Sequence, residues 1–265
     1  MGVIFKELDL KEQSKTVLVE SINRYPWNWS AWSELVSLCN EHDNISELSS
    51  LINDHWMKEF FIANLSLELQ QNETSLQLYV DLSKKYPDSN YVIAQTAIAN
   101  YNLREFDTTE QLFELLIEKD PYRIDNLDTY SNVLYVKENK SKLSFLAHKT
   151  TETDKYRPES CCIIGNYYSI KSEHEKAITY FKRALKLNRK FLSAWTLMGH
   201  EYVEMKNTKA AIEAYRKAVD INPRDYRAWY GLGQTYELLK MPLYSLYYYN
   251  KAATLKYVSI RISVH

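Results

Sequence analysis

Residues 227–242 read RAWYGLGQTYELLKMP. The stretch contains Gly231-Leu232-Gly233, and a G-x-G can open a nucleotide-binding loop. That chemistry needs a third small residue three places on, a β-strand before the loop and a helix after it. Tyr236 holds the third place, and Asp225–Tyr230 in front has no apolar run. The stretch instead repeats what stands 34 residues earlier, where residues 193–202 read SAWTLMGHEY. Trp195 and Trp229, Gly199 and Gly233, and Tyr202 and Tyr236 are each 34 apart, and Gly165 and Tyr168 carry the series one step further back. The glycine belongs to a repeat.

With Leu192 as position 1, Trp195 is position 4, Met198 is 7, Gly199 is 8 and Tyr202 is 11. Ala211, Tyr215, Ala218 and Pro223 follow at 20, 24, 27 and 32. The unit from Tyr226 gives Trp229, Leu232, Gly233, Tyr236, Ser245, Tyr249 and Ala252; the unit from Pro158 gives Cys161, Ile164, Gly165, Tyr168, Ala177, Phe181 and Ala184. Positions 4, 7, 8 and 11 share one face of a helix, and 20, 24 and 27 share a face of a second. Small residues at 8, 20 and 27 let two helices approach, and Pro at 32 ends the second. A mid-helix Gly costs about 1 kcal/mol against Ala, so its recurrence in register predicts close packing at that point. Upstream the phase is weaker. Units from Asn90 (Ala97, Phe113, Pro121) and Trp56 (Ala63, Ser75, Tyr79, Pro87) fit. The unit from Ile124 is degenerate, and the one from Trp29 is cut short.

The expected fold is all-α: a right-handed superhelix of helical hairpins. Residues 1–28 are expected to form a partial repeat with a second helix only, 29–157 degenerate repeats, 158–256 three well-matched repeats, and 257–265 a non-repeat tail. Ser259–His265 alternates polar and apolar residues, the period of a strand, and the chain reads as an internal piece of a longer array. Only 5 Gly and 6 Pro in 265 residues fit helices joined by short turns. A net charge of -1 gives no basic field for nucleic acid or anionic lipid. Three cysteines without a C-x-x-C, and a start without a secretory signal, point to a reducing compartment. Lys6 stands where a myristoylation motif wants Ser or Thr.

This spacing resembles the tetratricopeptide repeat. Residues 156–188, 194–219 and 224–242, with WMKEFFIANLSLEL at 56–69 and DPYRIDNLDTYSNVLYV at 120–136, resemble more narrowly the subunit-eight (Cdc-twenty-three type) family of the anaphase-promoting complex. The resemblance implies a non-catalytic scaffold in a ubiquitin ligase that controls mitotic progression and exit, in nucleus and cytoplasm. Implied partners are the other subunits, activator proteins bound through a short arginine-containing motif, and a second copy through N-terminal repeats that are largely missing here. The alternative is a generic tetratricopeptide adaptor of chaperones or another complex. A chaperone clamp needs Lys at position 5 and basic residues at 13. Here 5 is Cys162, Thr196 or Tyr230 and 13 is Ile170, Glu204 or Leu238.

In this family positions 2, 5, 9, 12 and 13 of the first helices line a concave groove. The implied peptide-binding residues are Asn166, His200 and Gln234 at position 9, Thr196 and Tyr230 at position 5, and Glu204 and Glu237 as carboxylates for the arginine. The residues expected to build the repeat are Gly165, Tyr168, Ala177, Trp195, Gly199, Tyr202, Ala211, Ala218, Pro223, Trp229, Gly233 and Tyr236. His200-Glu201-x-x-Glu204 lacks the second histidine of a helical zinc motif, His174-Glu175 has no evident partner, and no catalytic residue, metal or cofactor is expected.

Overall fold

A computed structural model of the chain describes the backbone of residues 1–39 and 45–261 and the side chains of residues 1–39 and 48–255. Among the described residues every regular element is an α-helix. They divide into two compact units, Met1–Arg104 and Glu105–His265.

The first unit holds α1 (Gly2–Glu7), α2 (Lys11–Arg24), α3 (Trp29–Leu38), α4 (Ile45–Leu51), α5 (Met57–Glu68), α6 (Asn72–Lys85) and α7 (Asn90–Asn102). The expectation of a lone second helix before Pro26 is corrected, because α1 packs on α2 as the last turns of a first helix. A Cβ at Gly2 would lie 2.7 Å from Leu18, and Ser14 Oγ donates to the Gly2 carbonyl at 2.7 Å. Ser75 Oγ donates to the Ala63 carbonyl at 3.0 Å with the same twelve-residue separation. Gly2 and Ser14 therefore stand at positions 8 and 20. Trp32 and Phe61 fill the centre of this unit, with ring centroids 5.3 Å apart and both side chains fully buried.

The second unit holds α8 (Phe106–Lys119), α9 (Leu127–Val136), α10 (Lys140–Asp154), α11 (Pro158–Ser169), α12 (His174–Leu187), α13 (Leu192–Glu204), α14 (Thr208–Ile221), α15 (Tyr226–Leu238) and α16 (Pro242–Arg261). α11–α12, α13–α14 and α15–α16 are the three well-matched hairpins. Their glycines act as the period predicts. A Cβ would come within 2.4 Å of Phe181 at Gly165, 2.6 Å of Tyr215 at Gly199 and 2.6 Å of Tyr249 at Gly233. In each hairpin position 8 of the first helix therefore receives the aromatic ring of position 24. Gly231 meets Tyr215 from the following hairpin at 2.4 Å, so that ring lies between two glycines. Ala177, Ala211 and Ala218 are fully buried at the remaining small positions.

Two further repeat features lie in backbone conformation and in bonds to the backbone. Position 15 is left-handed in every hairpin turn described: Asp9, Gln70, Arg104, Glu138, Ser172, Lys206 and Lys240 all have φ between 52° and 67°. From Gln70 to Lys240 they fall 34 residues apart. Around Lys206 the Asn207 amide donates to the Tyr202 carbonyl and the Lys206 amide to the Val203 carbonyl, the paired bonds that close a helix on a left-handed residue. Position 4 is the second feature. Trp32, Trp195 and Trp229 donate their indole N–H to the carbonyl six residues earlier, at 2.8, 3.0 and 2.7 Å. Cys161 points its thiol at the Lys155 carbonyl, 3.8 Å away. The large side chain at position 4 thus ties down the turn that enters its own hairpin.

Of the tail whose alternation has the period of a strand, residues 257–261 continue α16, and residues 262–265 lie outside the described residues. On α16 Leu243, Leu246 and Tyr247 are exposed, while Ala252 is buried.

Candidate peptide-binding site

The first helices α9, α11, α13 and α15 contact one another in succession, so residues at one repeat position form a row across them. The row at position 9 is visible at its upstream end. Asn166 Nδ2 donates to Asn132 Oδ1 and to Ser131 Oγ, both at 2.8 Å. Asn166 is thereby buried and used up between hairpins. Thr196 is also buried, its hydroxyl turned back to the Leu192 carbonyl at 3.4 Å. Neither is available to a peptide, which corrects two of the expected contacts.

His200 is partly buried and shares a 2.8 Å hydrogen bond between its Nδ1 and the Tyr215 hydroxyl. Burial, and after it the charge of Arg227, push its pKa down to about 4. It is a neutral imidazole that positions Tyr215 against Gly199 and Gly231. The exposed candidates are Glu204 at position 13, Tyr230 at position 5, Gln234 at position 9 and Glu237 at position 12. Glu237 accepts from the Tyr249 hydroxyl at 2.6 Å, and the rings of Tyr230 and Tyr249 lie 5.2 Å apart. These four side chains present carboxylate, amide and aromatic groups on one helix and the end of its neighbour, a surface suited to a cationic, extended peptide.

The structure also places residues that sequence reasoning passed over. Glu201 is buried and accepts from Ser169 Oγ at 2.6 Å, while its other oxygen lies 2.8 Å from His174 Nδ1. His174 thus has a hydrogen-bond partner, and the carboxylate pins hairpin α13–α14 to hairpin α11–α12. The serine faces the carboxylate and not the histidine, so the three do not form a nucleophile–base pair. Asp128 is buried near the start of α9 and accepts from Ser193 Oγ at 3.2 Å. Burial, reinforced by Glu159, raises its pKa to about 6 against the opposing Ser193 bond. No group of three His, Cys, Asp or Glu able to hold a metal occurs among the described residues. Spacing by one repeat could signal the Asn132–Asn166 bond, but Glu201 and Asp128 bond partners at unequal repeat positions.

Residues 158–191 match the family model of the tetratricopeptide repeat, and residues 199–240 match a second such repeat model. Residues 1–97 match the model of anaphase promoting complex subunit 8 / Cdc23. The chain carries tetratricopeptide repeats and is similar to subunit 8 of the anaphase-promoting complex. It is 61% identical to anaphase-promoting complex subunit 8 of Arabidopsis thaliana over 189 residues, covering 71% of this chain and 32% of that relative. The Dictyostelium discoideum subunit 8 is 61% identical over 191 residues, with 69% and 32% covered. The human cell division cycle protein 23 homolog is 54% identical over 152 residues, with 57% and 25% covered. The chain spans about a third of the length of the first two of these curated relatives. A crystal structure of the anaphase-promoting-complex hetero-tetramer Cut9–Hcn1 superposes with a TM-score of 0.80 over 96% of this chain and 51% of that one, at 20% identity. That likeness shows the fold of a tetratricopeptide solenoid.

Proposed function

We propose that the chain serves as a non-catalytic scaffold of the anaphase-promoting complex, the ubiquitin ligase controlling mitotic progression and exit, and works in nucleus and cytoplasm. The observation that carries this is the 61% identity to subunit 8 of two distant organisms, maintained over 71% and 69% of the chain. Such identity extends well beyond the few positions a generic repeat requires. Its partners are then the other subunits of the complex and an activator protein that presents an arginine in an extended segment. Glu204 and Glu237 are placed to receive the guanidinium, Gln234 to bond the peptide backbone, and Tyr230 to cover the aliphatic part of the chain.

Calorimetric titration of the chain with an arginine-containing activator peptide tests the groove. Changing Glu204, Gln234 and Glu237 together to Ala should weaken binding by about tenfold or more, the loss expected for truncating charge-assisted contacts, with helical content unchanged. Equal affinity for wild type and variant would move the peptide elsewhere.

A further inference from the structure

The near-zero net charge conceals an uneven distribution. From Lys176 to His200 the sequence carries Lys182, Arg183, Lys186, Arg189 and Lys190 and no Asp or Glu. The expectation of no basic field holds for the whole chain but not for this region. Helix α12 keeps its acidic residue Glu175 in the first turn, where Lys176 pairs with Glu173, and its remaining cations in the second half. Cations near a helix C-terminus complement the exposed carbonyls there, which accounts for Lys186. It does not account for Arg189 and Lys190, which lie beyond the helix in the turn to α13.

Lys182, Lys186, Arg189 and Lys190 are exposed, and none has an ion pair among the described residues. Some other lysines in this unit are matched: Lys137 and Lys142 share Glu110, and Lys217 faces Asp220 at 3.7 Å. The turn before α11 adds to the same surface. The Arg183 guanidinium lies 5.5 Å and the Lys155 ammonium 5.2 Å from the centre of the Tyr156 ring. Tyr156 is 62% exposed, and Leu187, between the cations, is 47% exposed. Asp154 borders the patch, and its Oδ1 accepts from the Tyr156 amide at 2.8 Å.

Like charges gathered without counter-charges repel one another, and an anionic ligand relieves that repulsion. Lys182 and Lys186 lie on one helix face about 6 Å apart along the axis. An extended peptide places alternate side chains about 6.6 Å apart, which matches that spacing. The exposed Leu187 and Tyr156 offer apolar contact between the charges, of use to a peptide side chain and of little use to a phosphate backbone. We infer that the second half of α12, the turn at Asn188–Lys190 and the neighbouring Tyr156 form a docking site for an extended acidic segment of a partner protein. Its carboxylates alternate with apolar or small residues. This surface shares no residue with the groove of α13 and α15, and its ligand carries no arginine, so either site can fail without the other.

The test is fluorescence anisotropy on the full chain with a labelled peptide bearing glutamate at alternate positions, at low and at raised salt. A Lys186→Gln, Arg189→Gln, Lys190→Gln variant should bind about tenfold more weakly or worse, and the salt dependence should shrink with it. A Lys140→Gln, Lys206→Gln, Lys240→Gln variant alters net charge equally and should bind as wild type does. Three results would overturn the inference. One is absence of binding to wild type at low salt, and another is equal loss in both variants. The third is a single-stranded oligonucleotide of equal charge that binds more tightly than the peptide and is lost with the first variant, which would make the patch a nucleic-acid contact.

Discussion

In hairpin α13–α14 two helices approach because Gly199 receives the ring of Tyr215. In hairpin α9–α10 the same repeat positions hold Ser131 and Ala147, and the bulk has moved to Leu143, where α14 has Ala211. All of these residues are buried. The second hairpin also begins late, at Leu127, after a left-handed Asn126. The turn joining its helices is nonetheless unchanged: Glu138 has φ 52° where Lys206 has 59°. The Asn139 amide reaches back to the Leu134 carbonyl as the Asn207 amide does to Tyr202. The comparison teaches that the repeat conserves a turn and a filled volume. Which side supplies the volume can change, and once it does the sequence pattern fades while the hairpin remains.

The largest effect should come from overfilling the tighter hairpin. Gly199→Leu forces a side chain into the Tyr215 ring and should cost about 3 kcal/mol, at the upper end for overpacking. Chemical denaturation measures it, and adding Tyr215→Leu should return part of the loss. On an exposed helix face Leu would be the better helix former, so an unchanged or raised stability would show that the ring does not occupy the glycine.

Next comes the buried carboxylate pin of the α13 hairpin. Glu201→Ala leaves Ser169 and His174 without their acceptor and should cost about 2 kcal/mol. A loss no greater than that of Glu204→Ala, on the exposed face, would mean that the pin contributes nothing.

Acid should separate the two hairpins further. Asp128 of α9 is raised from 3.8 to about 6, so the folded state binds its proton more tightly and its contribution to stability falls as pH rises through that interval. His200 of α13 is lowered from 6.5 to about 4, so the unfolded state is protonated first and its contribution falls as pH drops through that interval. The two slopes oppose each other in wild type. Asp128→Asn should therefore make the chain lose stability more steeply on acidification from pH 6.5 to 4, and His200→Gln should make it lose less. Denaturation at a series of pH values reads both, and identical profiles in all three proteins would contradict the assigned environments.

The smallest effect should be the same in both hairpins. Lys206→Gly and Glu138→Gly each place the residue that tolerates positive φ at a helix end, and each should stabilise by about 0.5–1 kcal/mol. A gain in one hairpin and a loss in the other would mean that the turns are not equivalent.

The three C-terminal hairpins were legible because Gly, Trp, Tyr and Ala recur at fixed spacing and each letter reports a local volume. The left-handed turn was not legible, since Asp, Gln, Arg, Glu, Ser and Lys share nothing beyond polarity and the backbone carries the requirement. The first hairpin was misread because its position 8 is residue 2, leaving too little of a first helix to show a period. At the candidate site the row of repeat position 9 was legible, but its exposure was not. Asn166 and His200 stand at equivalent positions to Gln234, but the preceding hairpin supplies Ser131 and Asn132 to Asn166, and the second helix of its own hairpin supplies Tyr215 to His200. A single-chain pattern gives a residue's place in the repeat, whereas burial depends on the particular side chains packed against it.

The central claim, that these repeats form an interaction scaffold of the anaphase-promoting complex, is tested most directly by affinity capture of the tagged chain from dividing cells with mass spectrometry of what it retains. The account predicts co-enrichment of other subunits of the complex in stable proportion. Capture of heat-shock proteins or an unrelated assembly, with subunits of the complex at background level, would contradict it.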